Sequence, residues 1–414
     1  MRIIPHPEGL CAFGFFVFGA VMEKSKVVLC RCEEYSEAEK AVSRMLGELD
    51  AALPERDKKI LLKPNLLTKA SPEKAVTTHP DVFSAVGKYL QGKGFSDICY
   101  GDSPGTHFMG TLQIAKSCGI HDAAEKLGIP LADFEGGEEV AYPEGQSAKS
   151  FIICNAVREA DAIVNVCKMK THMLERMTGA QKNLFGIVYG FNKGATHVKY
   201  PNSVAFAKAL ADLNNMYPPV LHVMDGIDAM EGNGPSGGTV KHMGWLLASR
   251  DPVALDTVAC LIMDLDPALV PTNTYGEAFG VGNTNADKIS ITVLDGESRK
   301  EMTCAEVRAR YAVSDFDVYR GAADKGKIKH LAPFEPLLKK KPVIDKEKCV
   351  GCGICVESCP AEKKAVNFKN GKRIPEYDYK QCIRCFCCQE MCPRHAISAK
   401  VSPLARLIDR NWKI

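Results

Sequence analysis

The sequence predicts an α/β domain, with a mainly parallel β-sheet sandwiched by helices, followed by a small cysteine-rich α+β domain. First, short apolar runs alternate with helical patterns from Lys26 to about residue 300, which is typical of a parallel sheet covered on both faces. Second, 414 residues exceed one small core and fit two or three domains. Third, nine of the 18 cysteines lie within residues 343–400.

The elements of the α/β part follow one another in a regular order. Continuous apolar runs predict strands at 26–32, 59–63, 97–100, 162–167, 220–224 and, as the last strand, 289–294. Helical periodicity predicts helices at 36–53, 80–91, 177–189, 204–216 and 253–263, and a helical stretch over 111–127 that is broken at Gly119.

Changes in composition predict five segments. These are an N-terminal extension at 1–25, the α/β domain at 26–324, a Lys/Pro-rich linker at 325–342, the cysteine-rich domain at 343–400 and a tail at 401–414. Asn370-Gly371 has the residues of a tight hairpin turn inside the cysteine-rich domain. In the tail, apolar residues at helical spacing predict a short docking helix.

An apolar run of 13 residues, Leu10–Met22, leaves three hypotheses open for the N-terminus. It is shorter than the ~20 residues that span a bilayer. Its length fits the apolar part of a signal peptide, but a single preceding Arg2 and the abundance of cysteines disfavour export. We favour a translation start at Met22, directly before the first strand. Unpaired cysteines within apolar stretches predict a cytoplasmic protein.

The cysteine-rich domain repeats one metal-ligand motif twice, Cys-x-x-Cys-x-x-Cys-x-x-x-Cys-Pro. Three closely spaced thiolates can bind three corners of an iron–sulfur cube, and the fourth cysteine, before proline, ligates the other cube in two-cluster ferredoxins. Zinc sites instead pair two Cys-x-x-Cys elements. We therefore predict a ferredoxin-like domain with two [4Fe–4S] clusters, one on Cys349, Cys352, Cys355 and Cys392, the other on Cys382, Cys385, Cys388 and Cys359. Cys387 is expected to be a neighbouring thiol rather than a ligand.

The net charge of +3 conceals an asymmetry. Residues 339–414 carry 17 Lys/Arg and 8 Asp/Glu, whereas the preceding part carries 36 and 42. Two oxidised clusters, at roughly −2 each, would offset part of the basic surplus. Nucleic acid is disfavoured as a partner, because no basic stripe is interleaved with aromatic residues. We expect the basic domain to dock on the acidic main body or on an acidic redox partner protein.

Four polar loops follow predicted strands and would converge if the sheet is parallel. They begin at Lys63, Gly101, Lys168 and Asp225, and their residues suit an anionic small-molecule ligand bound by cations, an amide and exposed backbone N–H groups. The candidate binding residues are Lys63, Asn65, Lys168, Lys170, Lys182, Gly232 and Gly234. His172 and Asp102 are candidate catalytic residues for proton transfer.

Each of these assignments has a structural alternative. Strand-end lysines are often solvated, Asp102 has the position of a turn cap, and His172 has that of a helix start. The carboxylates Asp225, Asp228 and Glu231 could hold a divalent metal or orient a lysine. The glycine-rich run from Gly232 matches a dinucleotide fingerprint only as a string, since no obvious helix follows it.

Six short sequences together resemble the domain of unknown function family 362. They are Lys63-Pro-Asn65, Gly101-Asp-Ser-Pro-Gly105, Lys168-x-Lys170-Thr-His172, Lys182-Asn-Leu-Phe-Gly186, Asp225-Gly226 with Glu231-Gly232-x-Gly234-Pro235, and Asp251-Pro-Val-Ala-Leu-Asp256. The resemblance covers about residues 26–300, and the cysteine-rich part is similar to the bacterial two-cluster ferredoxin module. It implies an α/β domain in an iron–sulfur protein and identifies no substrate.

The lead hypothesis is an iron–sulfur oxidoreductase that passes electrons from its clusters to an anionic substrate or cofactor in a lysine-lined crevice of the α/β domain. The first alternative is a non-catalytic, ferredoxin-type electron carrier. The second is a redox-sensing or maturation protein. In both alternatives the α/β domain docks a partner by its surface.

Overall fold

The computed structural model describes residues 24–49, 53–105, 110–190, 192–321, 340–369 and 371–400. The apolar run at 10–22, nearly all of the expected linker, Asn370 of the expected hairpin turn and the expected tail helix lie outside the described residues. Within the part that is described, no helix is long and apolar enough to cross a membrane.

The strands and helices are numbered here in chain order. The strands are β1 Ser25–Arg31, β2 Ile60–Lys63, β3 Ile98–Tyr100, β4 Gly137–Ala141, β5 Ser150–Cys154, β6 Ala162–His172, β7 Arg176–Thr178, β8 Leu221–Glu231, β9 Thr239–Ser249, β10 Ile289–Asp295, β11 Ser298–Met302, β12 Lys341–Ile344, β13 Val366–Asn367, β14 Glu376–Tyr377 and β15 Ile397–Lys400. The α-helices are α1 Ala38–Gly47, α2 Pro80–Gly92, α3 Thr111–Ser117, α4 Ile120–Leu127, α5 Asn155–Arg158, α6 Ala180–Asn183, α7 Asn192–Lys199, α8 Ser203–Met216, α9 Pro252–Ile262, α10 Pro271–Ala278, α11 Cys304–Tyr311, α12 Ile354–Glu357 and α13 Cys387–Glu390.

The large sheet is mixed and mainly parallel, as predicted. Its strand order is β11-β10-β1-β9-β8-β6-β2-β3, and β7 pairs with β6. The neighbours β8, β6, β2 and β3 are mutually parallel, as are β1 and β10. The missed strand β9 lies antiparallel between β1 and β8 and joins these two parallel groups.

Four predicted elements need correction. β6 and β8 run on as far as His172 and Glu231, because β7 and β9 continue to pair with them. The predicted helix at 177–189 is instead the end of β7, the short helix α6 and a 3-10 turn at Leu184–Ile187. Gly179 separates β7 from α6, and a Cβ there would collide with the Asp256 carboxylate. Strand β11 follows β10, which had been predicted to be the last.

The hydrophobic core lies on both faces of the sheet. Along β1, Val28 packs with α1 and α2 on one face, whereas Val27 and Leu29 pack with α9 on the other. This alternation follows from the two-residue repeat of a strand. Both faces are covered, so polar ligands are restricted to the sheet edges and the loops.

The ferredoxin-like domain consists of two small two-stranded sheets, β12 with β15 and β13 with β14, and the short helices α12 and α13. Its core is built around cysteines, with Val366 and Ile397 beside Cys359 and Cys392. A domain this small buries little apolar surface, and domains of this size usually need a metal or disulfides for stability.

The ferredoxin-like domain packs against the loop that connects β8 to β9. Ser236 Oγ donates to the Glu390 carbonyl oxygen at 3.0 Å, and Asn233 Nδ2 donates to the Ile397 carbonyl oxygen at 3.1 Å. Gln389 Nε2 donates to the Asn233 carbonyl oxygen at 3.0 Å. These bonds fix α13 close to the carboxyl ends of the parallel strands.

Candidate functional site

The first predicted set of cluster ligands comes together in space. Cys349, Cys352, Cys355 and Cys392 line one small pocket of the ferredoxin-like domain. Burial and the neighbouring sulfurs of Cys392, Cys352 and Cys349 raise the pKa of Cys355 to about 12. Thiols that disfavour each other's ionisation need a cationic centre to become thiolates, and the iron of a cluster is such a centre. This donor set therefore fits a [4Fe–4S] cluster.

The cysteines of the second predicted set also lie near one another, since burial and the neighbouring Cys385 and Cys382 raise the pKa of Cys388. Burial raises the pKa of the Cys382 thiol, and the neighbouring Cys385 and Cys359 raise it further. The fourth cysteine of each motif has equivalent surroundings, since Ala365 N–H donates to Cys359 Sγ and Ala396 N–H donates to Cys392 Sγ, both at 3.3 Å. Such N–H···S bonds are one of the means by which proteins adjust cluster potentials.

Within the described residues, no three His, Cys, Asp or Glu side chains are arranged to hold a single metal ion. The carboxylates considered for a divalent metal have other partners. Asp225 pairs with Lys168, Asp228 accepts from His242, and Glu231 accepts from the Asp317 N–H. They therefore serve to fix strands and lysines, the alternative weighed for them above.

Lys63 and Asp102 form a buried ion pair where β2 and β3 end. Lys63 Nζ lies 2.9 Å from Asp102 Oδ1, and the two side chains are 0% and 5% exposed. Asp102 Oδ2 also accepts the Leu66 N–H at 2.7 Å. Gly186 packs on this pair so closely that a Cβ at that position would collide with Asp102 Oδ1. The backbone at Gly186 thus covers one side of the ion pair.

The two lysines of β6 are buried as well. Lys168 Nζ donates to Asp225 Oδ2 at 2.8 Å and to the Tyr35 hydroxyl at 2.9 Å. Lys170 Nζ donates to Asn65 Oδ1 at 2.7 Å and to the Val76 carbonyl oxygen at 2.6 Å. Burial, together with the positive charge of Lys182, lowers the pKa of Lys170 to about 7.

His172 bridges the two domains. Its Nδ1 accepts the N–H groups of Leu174 and Glu175, both at 3.1 Å, so the ring proton is on Nε2, which lies 2.7 Å from Glu390 Oε1. Burial lowers the pKa of His172 to about 4. Although burial opposes it, the bond from His172 lowers the pKa of Glu390 to about 2. A neutral imidazole therefore donates to a carboxylate, and both ring nitrogens are occupied.

A crevice of about 330 Å³ lies between the two domains. Cys359, Cys387, Glu390 and Met391 form part of its ferredoxin-side wall. The opposite wall comes from the loops after β2 and β3 and from α6 and α7, with Asn65, Leu66, Asp102, Ser103, Lys182, Phe185, Lys193 and His197. An expected ligand of the second cluster thus faces lysines of the α/β domain across one cavity.

Lys182 is a half-buried cation without a hydrogen bond or ion pair to any residue that the structure describes. It is near enough to several buried groups that its charge adds to burial in lowering the pKa of His172 and of His197, both to about 4. Lys193, whose Nζ donates to the Ser103 carbonyl oxygen, has a pKa lowered to about 8, again chiefly by burial. The positive charge of these two lysines favours an anion, and the Glu390 carboxylate in the opposite wall offsets part of it.

His197 was not predicted. It lies on α7, its ring packs on Phe206 with centroids 4.4 Å apart, and its buried Nδ1 has no hydrogen-bond partner among the described residues. Lys193, on the same helix, was missed too. The local sequence Asn192-Lys-Gly-Ala-Thr-His197 contains no motif that marks it, and α7 itself was not predicted.

The structure separates the predicted site residues into three groups. Asn65, Asp102 and Lys182 line the crevice. Lys63, Lys168, Lys170 and His172 are buried and paired behind it. Gly232 and Gly234 flank Asn233 in the loop that contacts the ferredoxin-like domain, and Gly234 packs closely on the Thr171 carbonyl.

Comparison with known proteins identifies both parts of the chain. The model of the domain of unknown function DUF362 matches residues 60–261, and a 4Fe-4S dicluster domain matches residues 341–393. A thylakoid-associated protein of Synechocystis, sll1697, is 35% identical over 230 residues, which cover 55% of this chain and 70% of that protein. Ferredoxin-2 of Desulfomicrobium norvegicum is 46% identical over 33 residues, or 8% of this chain and 52% of that one.

Solved structures show a more distant similarity. The lactate racemase apoprotein from Thermoanaerobacterium thermosaccharolyticum aligns with a TM-score of 0.40 at 14% identity, over 60% of this chain and 59% of that one. A protein from Thermotoga maritima aligns with a TM-score of 0.34 at 13% identity, over 53% and 56%. The chain thus spans little more than half the length of each of these two proteins. On the sequence matches, the chain belongs to the DUF362 family and carries a 4Fe-4S dicluster domain.

Proposed function

We propose that this protein is an iron–sulfur oxidoreductase that reduces an anionic substrate or cofactor bound between its two domains. The dicluster domain makes electron transfer its general role. One observation supports the more specific proposal: the crevice places the unpaired Lys182 opposite Cys359, an expected ligand of the second cluster.

Recognition of the anion is assigned to crevice residues. Lys182 supplies an ammonium that has no ion pair with any described residue, and Lys193 adds a second cation on the same wall. Phe185, Leu66 and Met391 give the cavity apolar surface beside these charges. A ligand with an anionic group and an apolar body satisfies both features, as is common for small-molecule sites.

The roles of the predicted catalytic residues follow from their contacts. Asp102 lines the crevice and remains the predicted proton carrier, with Lys63 Nζ 2.9 Å from its Oδ1. His172 acts instead as a positioning residue, because both of its nitrogens are engaged and it holds Glu390 in the opposite wall. Lys193, with a pKa near 8, is mostly protonated at neutral pH and can deliver a proton to a reduced ligand.

When bound, the two clusters would supply single electrons. Cys359, which would hold the second cluster, lies in the crevice wall, and Cys352, which would hold the first, is exposed to solvent. We propose a cytoplasmic location on the basis of the free cysteines of the described residues.

Native mass spectrometry of the anaerobically purified protein tests the proposal. We compare wild type with Lys182→Met and with Lys126→Met, a matched control that removes an exposed lysine of α4. The expected result is two four-iron clusters in all three proteins, and an additional small anion that Lys182→Met alone loses.

A single-turnover experiment then separates an enzyme from a carrier. The compound that co-purifies is added to the reduced protein; inorganic phosphate, which the clusters cannot reduce, serves only as the calorimetric binding probe if none co-purifies. Reoxidation of the clusters by the compound, slowed in Lys182→Met, supports the oxidoreductase. Absence of any bound mass together with no calorimetric binding of phosphate contradicts an anion site, and it leaves the electron-carrier hypothesis.

A further inference from the structure

We propose that the exposed face around the first cluster site is the docking surface for a small acidic electron-carrier protein. This electron-entry face is defined by Val350, Cys352, Phe368, Lys369 and Arg373. The inference rests on the electron-transfer part of the proposed function and is independent of the crevice ligand.

Exposure is the first observation. Cys359 of the second set lines the crevice and is buried there, whereas Cys352 of the first set is exposed to solvent. Electron transfer between proteins requires a short path from one centre to the other. A donor that docks beside Cys352 has that path, and a donor at the crevice would compete with the bound ligand.

The second observation is apolar surface at the same place. Val350 and Phe368 are 43% and 45% exposed, among the most exposed large hydrophobic residues of the described chain. Val350 lines the pocket of the first sulfur set together with Gly353. The Phe368 ring lies 3.5 Å from the position of a Cβ at Gly353. The two side chains therefore border one cluster site, and they have the apolar centre and polar surround of a protein interface.

The third observation is the charge around this apolar centre. Lys346, Lys369, Arg373 and Arg394 are exposed and have no ion pair with any described residue, while Lys372 pairs with Glu376 at 2.6 Å. Arg373 is held at the rim, where its Cγ lies 3.2 Å from the position of a Cβ at Gly351, and Arg394 lines the pocket. The acids among them are Glu347, which is exposed, and Asp345 and Glu376, whose side chains are 41% and 43% exposed and pair with Lys348 and Lys372. The face is therefore basic and selects an acidic partner.

The positive charge of this chain's own residues 401–414 disfavours them as the segment that covers the electron-entry face. Residues 401–414 contain Arg406, Arg410 and Lys413 but one acid, Asp409. A basic segment is repelled by a basic face, whereas an acidic one-electron carrier of the ferredoxin or flavodoxin class is attracted to it. The reaction transfers one electron from the reduced carrier to the oxidised cluster, with no bond made or broken and no proton required.

Stopped-flow reduction of the anaerobic holoprotein by a pre-reduced acidic two-iron ferredoxin tests the inference. The variant Lys369→Glu/Arg373→Glu reverses two charges of the electron-entry face. The matched control, Lys116→Glu/Lys126→Glu, makes the same charge change on exposed positions of α3 and α4. Reduction by dithionite, a small molecule that needs no docking surface, shows whether the clusters are intact.

We expect the face variant to lower the second-order rate constant about tenfold or more at low ionic strength, and the control to change it less than about twofold. The difference should disappear near 0.5 M salt, where the Debye length falls to roughly 4 Å. Phe368→Ser should lower the rate at high salt too, since its contribution is not electrostatic.

Three outcomes overturn the inference. Equal rates for wild type and the face variant exclude docking at these residues. Equal loss in the control attributes the effect to net charge alone. Protection of the face by a single-stranded oligonucleotide, released in the face variant while ferredoxin reduction stays unchanged, assigns it to nucleic acid. Because the measured step is electron entry into the clusters and every variant compared keeps Lys182 and the crevice unchanged, failure here is distinct from failure of the anion site.

Discussion

The ion pair between Lys63 and Asp102 allows a quantitative test of whether these residues hold the fold or a ligand. Lys63→Met keeps the aliphatic volume but leaves the Asp102 carboxylate, 5% exposed, with the Leu66 N–H as its remaining hydrogen-bond donor. Removing one partner of a buried ion pair costs about 3–5 kcal/mol. One kcal/mol corresponds to roughly 2–4 °C in the unfolding temperature of a domain of this size, so we expect a decrease of about 6–20 °C.

The double variant Lys63→Met/Asp102→Asn supplies the internal control. With both charges removed, no uncompensated ion remains, and most of the lost stability should return. Thermal unfolding of the cluster-loaded protein, followed anaerobically by circular dichroism at one scan rate, measures the three proteins under equal conditions. An unchanged unfolding temperature for Lys63→Met, or a double variant no more stable than the single one, would refute the structural role and return Lys63 to the candidate ligand-binding residues.

Three further predictions concern the surroundings of the crevice. Gly186→Ala should prevent stable folding, because its Cβ would collide with Asp102 and lie 2.6 Å from Lys63 Nζ. The control Gly47→Ala has nothing within 4 Å of its Cβ. Thermal unfolding should show that this control leaves the stability of the protein unchanged or raises it by about 0.5–1 kcal/mol. The pKa of Lys170 is lowered from 10.5 to about 7, so between about pH 7 and 10.5 the folded state binds fewer protons than the unfolded state and its stability should rise with pH. Unfolding temperatures measured at pH 7–9 should therefore rise less steeply in Lys170→Met than in wild type. An unchanged slope would contradict the burial of this charge. Anaerobic chelation of iron should unfold residues 341–400 and leave the large sheet folded, as measured by hydrogen exchange; protection retained in β12 and β15 would show that this domain does not depend on its clusters.

The sequence predicted that the polar loops converge because this follows from strand direction alone. β2, β3, β6 and β8 are parallel neighbours, so Lys63, Asp102 and Lys170 had to approach the same sheet edge. The pairing within this group was not predictable, since it depends on the register between strands and on Gly186 enclosing the Lys63–Asp102 pair. For the same reason, Lys63, Lys168 and Lys170, which were expected to face a ligand, proved to be buried and paired. Lys182 and Lys193 are instead the lysines that line the crevice.

Strand β9 and helix α7 show where local patterns fail. Residues 239–249 form a strand because β1 and β8 lie on either side, not because of a strong local alternation, and the strand contains Gly244 at a φ of +68°. Cysteine motifs are the opposite case. Three of the four cysteines of each set are specified by short-range spacing in the sequence. The set that lines the first pocket could be predicted once Cys392, the fourth cysteine of the other motif, was assigned to it.

The charge asymmetry predicted that the basic domain would dock on the acidic main body or on an acidic partner, and the contacts favour the second. In the hydrogen bond between the domains at the crevice, the acidic residue, Glu390, belongs to the ferredoxin-like domain, and its partner on the α/β domain is the neutral His172. This is the reverse of a basic domain that docks on an acidic one. The remaining docking bonds described here join neutral amides, hydroxyls and carbonyls. Lys369 and Arg373 are therefore not consumed by docking within the chain. In the proposed scheme, the basic residues that stay exposed beside the first cluster site mark where electrons would enter, and the crevice marks where they would leave.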